Sequence, residues 1–347
     1  MKSKTCTLHA ISLCLLPLLT AGCLSDNLRS DHPGTSTKPM EIRMKSYIAG
    51  STSAATRADG GKGMINGGTA FDVKFARVDE NAADTDYPTT YDNAAIPGSV
   101  NTSKVLSFAP PAYYQTDKTK GTKLIGWHPA GATYVSSGGT VVAAIDGETD
   151  IMVTPLKVGS QNSPFSDVTF SHLLMQICVK VYTTDEKNKD YWGGIKSITI
   201  AGKKQTCTVT LPATSASAGA TATAVFSGSE ALPLIKKDPS NNTVINQSGS
   251  AYGDSNPLEL GVGTDKTSAV LAGYAMFEPA GSNSISLTVV TEKGGTQAVT
   301  VRKPNDTDFV AGGSYIIPLC FGVSTISPTG TSITDWSTST ELPEITV

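Results

Sequence analysis

The alternation of apolar and polar residues over short runs constrains this chain more than any other feature. From about residue 65, runs rich in Val, Ile, Thr and aromatic residues are separated by clusters of Gly, Pro, Asn, Asp and Ser. Successive side chains of a strand point to opposite faces, so such runs suit half-buried strands joined by turns. Phe71, Val73 and Phe75 alternate with Asp72, Lys74 and Ala76, which gives one apolar face. Thr169 to Tyr182 carries the strongest signal. There Leu173, Met175, Ile177, Val179 and Val181 hold one parity, with His172, Gln176 and Lys180 on the other. A helix over Ser171 to Val181 fits the same residues, but the β-branched C-terminal half favours a strand.

Leu124 to Trp127, Thr140 to Ile145 and Ile151 to Val153 are further strand candidates. Ile195 to Ile200, Thr206 to Leu211, Ala269 to Phe277, Ile285 to Val290, Ala298 to Val301 and Ser314 to Val323 continue the style. No segment sustains apolar residues at i, i+3 and i+4, so helices should be few and short. Ala213 to Ala224 and Asp238 to Asp254 read as exposed loops. The most linker-like stretch near mid-chain is Val158 to Pro164. With the first 57 residues set aside, about 290 remain, which suits two domains of ordinary size. The expectation is an all-β chain of two tandem sandwiches, residues 58–162 and 163–347.

Composition and motifs argue against chemistry. A formal charge of −3 on 347 residues gives no basic field for phosphates, so no nucleic-acid partner is expected. Beyond residue 57 the histidines are His128 and His172, and neither sits in a zinc-ligand spacing. Both read as structural or solvent-facing. A G-x-S-x-G nucleophile elbow is lacking, and the glycines from Gly60 to Gly68 match neither phosphate-loop pattern. Asp84/Asp86 and Asp306/Asp308 lack the glycine and distal glutamate of a calcium loop. No catalytic residue, metal ligand or cofactor is expected. After Cys23 the cysteines are Cys178, Cys207 and Cys320. That number allows one disulfide with a spare thiol, or three buried thiols.

The N-terminus has its own logic. Lys2 and Lys4 precede an apolar run from Leu8 to Leu19, which is too short for a permanent membrane span. Leu19-Thr20-Ala21-Gly22-Cys23 then reads as a lipoprotein signal covering residues 1–22, with Cys23 as the acylated residue. Further on, Ala54-Ala55-Thr56-Arg57-Ala58 sets one basic residue among small ones, a site that a trypsin-like protease could enter between Arg57 and Ala58. Residues 23–57 would then be a propeptide. A chain first lipidated and then cut reads as exported, held at a membrane by its lipid, and released.

Several short motifs, in order along nearly the whole chain, add a resemblance. They are the Ala21-Gly22-Cys23 and Arg57 segments, Gly126-Trp127-His128-Pro129, Asp150-Ile151-Met152 and Phe170-Ser171-His172. Phe309 to Tyr315 and Ile333-Thr334-Asp335-Trp336 complete the set. Together they resemble the fimbrillin family, the type V pilins and related shaft, tip and anchor subunits of the Bacteroidales. The resemblance implies transthyretin-like sandwiches and an acylated outer-membrane precursor. It also implies cleavage by an arginine-specific protease that removes the first strand, and polymerisation into an extracellular pilus. The implied partners are copies of the chain or related pilus subunits, and a neighbour's strand would fill the opened groove. Such a head-to-tail contact does not close on itself and so builds a filament.

Mapped onto this sequence, the strand to be removed lies within Glu41 to Ala49, where Ile42, Met44, Ser46 and Ile48 share one parity. Candidate donor residues are Ile333, Trp336, Leu342, Ile345 and Val347. The same residues could instead complete the second domain's own sheet, and Pro343 would interrupt a ladder there. A competing reading is a lipid-anchored β-sandwich that binds a glycan or surface protein and never polymerises. Tyr113-Tyr114 and Tyr191-Trp192 would be its stacking platforms. Whether the segment before Arg57 forms a strand within the first sandwich discriminates between the two.

Overall fold

The structure, a computed structural model, describes residues 39–49, 65, 69–235, 252–279, 281–303, 306–329 and 332–335. It begins with β1 (Met44–Ile48), β2 (Phe71–Asp79), β3 (Ile96–Val100), β4 (Val105–Phe108) and β5 (Thr122–His128). Next come β6 (Thr133–Val135), β7 (Thr140–Ala144), β8 (Met152–Val153), β9 (Lys157–Gly159) and β10 (Val168–His172). The second half holds β11 (Met175–Thr183), α1 (Glu186–Trp192), β12 (Ile195–Lys203), β13 (Thr206–Thr210) and β14 (Thr223–Ser227). β15 (Glu230–Pro233), β16 (Gly261–Val262), β17 (Val270–Phe277) and β18 (Ser284–Thr291) follow. β19 (Thr296–Arg302), β20 (Gly313–Phe321), β21 (Ile326–Pro328) and β22 (Ser332–Asp335) end it. The protein is all-β, as the alternation requires, and α1 is the one α-helix among the described residues. Asp185 caps that helix, its carboxylate accepting from Lys187 N at 2.9 Å. Gly193 ends it at a positive φ of 66°.

Hydrogen bonding divides the strands into four sheets. The first runs β2-β3-β4-β1-β10-β8-β5, and β5 also pairs with β2, so these seven strands form a closed circuit with β9 added on β5. Its core is a self-contained apolar cluster that includes Phe75, Phe108, Leu124, Met152 and Phe170. Gly126 in β5 serves this packing, because a Cβ there would lie 2.5 Å from the Phe75 ring.

The second half centres on β11, which is parallel to β20 and antiparallel to β17. Both faces of β11 are buried, and the run Met175–Thr183 is accordingly mostly apolar, with Gln176, Lys180 and Thr183 as its polar positions. A four-stranded sheet β15-β12-β18-β19 accompanies it. A fourth sheet, β14-β13-β7-β6, draws strands from both halves, with Thr206–Thr210 laddered on Ala144–Thr140. The larger core likewise mixes residues such as Trp127 and Ile151 with Ile177 and Phe277. Lys123 adds a polar tie, its Nζ donating to Thr214 O at 2.7 Å and Ala216 O at 2.9 Å.

Three details depart from the sequence reading. The single strand expected from Thr169 to Tyr182 is two strands in different sheets, broken at Leu173-Leu174, where Leu173 N bonds to Ile151 O. The break changes the parity, so His172 turns inward with Val168 and Phe170 and is 6% exposed. The solvent-facing option for His172 therefore does not hold. β14 begins at Thr223, inside the segment read as a loop, because it pairs along the whole of β13. Cys178, Cys207 and Cys320 are thiols rather than disulfide partners; the first two are buried and the third is partly so.

Candidate functional site

Within the closed circuit, β1 joins β4 to β10. It is antiparallel to β4, with Met44 opposite Leu106, and parallel to β10, with Ser46 opposite Val168 and Ile48 opposite Phe170. Backbone bonds extend the seat at both ends. Ile42 N donates to Ala112 O at 2.8 Å, Tyr114 N to Met40 O at 2.9 Å, Ser46 N to Lys104 O at 2.8 Å and Ala49 N to Phe170 O at 2.7 Å. Asp167 accepts from Lys45 N at 3.0 Å.

The side chains explain why this short segment is a strand. Ile42, Met44, Ser46 and Ile48 are 2%, 5%, 2% and 6% exposed, whereas Arg43, Lys45 and Tyr47 face outward. Burial of the three apolar members contributes about 1.5–3 kcal/mol each. On the outer face Lys104 Nζ lies 5.3 Å from the Tyr47 ring centroid, and Arg43 pairs with Glu41 at 2.7 Å. Exposed contacts of this kind add little. β1 is thus held by backbone ladders and one row of inward side chains, and taking it out would open the circuit between β4 and β10.

The next described residue, Ile65, lies beyond the expected cleavage site. Its side chain belongs to the same core, and its N–H donates to Asp150 Oδ2 at 3.2 Å. The same oxygen bonds His172 Nδ1 at 2.8 Å, with both side chains 1% exposed or less. Asp150 precedes β8 and His172 ends β10, beside the Phe170 carbonyl that receives Ala49. A buried carboxylate therefore holds the chain on the far side of the segment from β1. His128 lies close by, its Nδ1 bonded to Asp72 O at 2.7 Å and its ring edge-on to Phe71. Burial holds the His128 imidazole below its ordinary pKa, against the pull of that backbone bond and of Asp150.

Of the other expected site residues, Cys23, Arg57, Ala58, Trp336, Leu342, Ile345 and Val347 lie outside the described residues. Ile333 is in β22, opposite Tyr315 of the chain's own β20. The proposed aromatic platforms are split: Tyr113 and Tyr191 are exposed, but Tyr114 stacks on Phe165 in the core and Trp192 is 1% exposed. Among the described residues there is no group of three or more His, Cys, Asp or Glu able to hold a metal. The other motifs are packing devices. A Cβ on Gly313 would meet the Tyr315 hydroxyl, which accepts from Val310 N, and the Tyr315 ring meets Phe309 edge-on. The sequence reading quoted Asp150 within the Asp150-Ile151-Met152 motif but gave it no role as an anchor.

Comparison with known proteins supplies the family. None of the curated proteins is significantly similar to this chain. Among solved structures, a candidate cell adhesion protein from Bacteroides uniformis is 15% identical. The match covers 86% of this chain and 99% of that one, with a TM-score of 0.51, and indicates a shared fold. The tip fimbrial protein Mfa3 from Porphyromonas gingivalis, truncated at its C-terminus, is 9% identical over 86% of this chain and 100% of that one, with a TM-score of 0.40. A family model described as fimbrillin-like matches residues 56–336, beginning one residue before Arg57 and leaving β1 outside the match. A match over most of the chain means that this protein belongs to the fimbrillin-like family.

Proposed function

We propose that this protein is a structural subunit of an extracellular pilus, without enzymatic activity, that polymerises by strand replacement. The scheme has three steps. The chain is exported as a precursor acylated on Cys23 and held at the outer membrane. An arginine-specific protease cuts between Arg57 and Ala58. Residues 23–57, β1 among them, then leave the groove between β4 and β10, and an extended segment of a neighbouring subunit takes their place. The observation that carries this reading is the position of β1, a strand upstream of Arg57 that closes the circuit while standing outside the family match. A tether to a membrane has no need to be built into a barrel, so a non-polymerising lipid-anchored module is the weaker reading. The C-terminal residues Trp336, Leu342, Ile345 and Val347 are the proposed donor segment, beyond a β22 that stays with its own sheet.

The test is intact mass and N-terminal sequencing of the protein at the cell surface, compared with an Arg57→Ala variant. The expected wild-type product begins at Ala58 without lipid and enters fibres; the variant stays acylated at Cys23 and monomeric. Fibres formed normally by the variant would refute the scheme.

A further inference from the structure

Of the four inward positions of β1, Ser46 is the polar one. Its side chain is 2% exposed, and Oγ has no hydrogen-bond partner among the described residues. The backbone is satisfied, since Ser46 N donates to Lys104 O. The hydroxyl alone is stranded, opposite Val168 and between Met44 and Ile48 on the inward row, all three members of the apolar cluster. A hydroxyl stripped of water with no acceptor weakens the strand that carries it by about 5- to 150-fold in an equilibrium constant. The flanking positions Ile42, Met44 and Ile48 already bury apolar side chains, so the defect is confined to one place.

We infer that Ser46 is a built-in weak point of the resident strand, and that it sets which strand displaces it. The groove between β4 and β10 selects an extended segment of a second chain with alternating apolar side chains, aliphatic where β1 carries Ser46. Such a segment makes the same main-chain ladder and replaces a stranded hydroxyl by buried methyl groups. At equal length and equal backbone pairing it therefore outcompetes β1. This inference rests on the strand-replacement reading above, and it adds the side-chain chemistry of the incoming strand.

The test uses the full chain and peptides. The uncut Ser46→Ala protein should unfold about 2–12 °C higher than wild type, because its burial is unchanged and the unpaired hydroxyl is gone. The wild-type chain is then cut with an arginine-specific protease, and the product is checked by mass to begin at Ala58. It is titrated with labelled peptides of residues 39–49 carrying Ser, Ala or Val at position 46. An Ala or Val peptide binding at least fivefold more tightly than the Ser peptide supports the inference. If all three bind alike and the uncut variant is no more stable, Ser46 is no weak point, although strand replacement stands. If the cut protein binds none of them, strand replacement itself falls and this inference with it.

Discussion

Asp150 is the buried group whose removal should be felt most. Its side chain is 0% exposed, and one oxygen receives both His172 Nδ1 at 2.8 Å and Ile65 N at 3.2 Å. Asp150→Ala takes the acceptor from two buried donors at once. Each buried donor so deprived costs about 1–3 kcal/mol, and losing one partner of a buried pair typically costs about 3–5 kcal/mol. A loss of about 3–5 kcal/mol is expected, a large part of the 5–15 kcal/mol typical of a folded protein. In temperature it corresponds to roughly 6–20 °C. Denaturant unfolding of the full chain, followed by the fluorescence of buried Trp127 and Trp192, measures the loss. Asp150→Asn retains an acceptor oxygen at the same place and should lose less. Hydrogen exchange gives a local readout: the Ile65 amide should exchange at least about tenfold faster in Asp150→Ala. If that variant lies within about 1 kcal/mol of wild type, the carboxylate is not what holds Ile65. The downstream anchor described for this end of the barrel would then be wrong.

Two further predictions follow from titration. Because burial holds His128 below the ordinary imidazole pKa of 6.5, the unfolded chain binds a proton more readily there than the folded one. Its contribution to stability is present above about pH 6.5 and is lost as the pH falls through the lower folded value. His128→Gln should flatten the decline of unfolding free energy below pH 6.5, and parallel curves for the two proteins would count against this. Burial likewise pushes the Cys207 thiol up to about 11. At pH 8 iodoacetamide should therefore leave Cys207 unmodified in the native protein and alkylate Cys178, Cys207 and Cys320 in guanidinium, as read by mass. Rapid native labelling of Cys207 would contradict the packing of β13.

How far the sequence carries the structure depends on how local each decision is. The β class and the strand from Met44 to Ile48 are local, because a period of two running from Ile42 to Ile48 leaves little else for such a segment to do. The long Thr169–Tyr182 strand looked equally local and was not. From Leu173 onward the odd-numbered positions stay apolar, yet Val168–His172 is captured by β1 and β8 while Met175–Thr183 is captured by β17 and β20. The corner's local trace is the shift of apolar parity between Phe170 and Leu173, and the partners that capture each half lie elsewhere in the sequence. The same holds at the candidate site. Ser46 and Asp150 are ordinary residues until two questions are asked of each: what lies opposite, and whether its polar atoms find partners. Ser46 meets Val168, 122 residues away in number, and finds none; Asp150 meets His172 and Ile65 and holds both. A stranded hydroxyl weakens the strand upstream of Arg57, while Asp150, through its Oδ2, fastens the chain downstream of it. That asymmetry means a single cut between them should free the upstream strand and leave the downstream end in place.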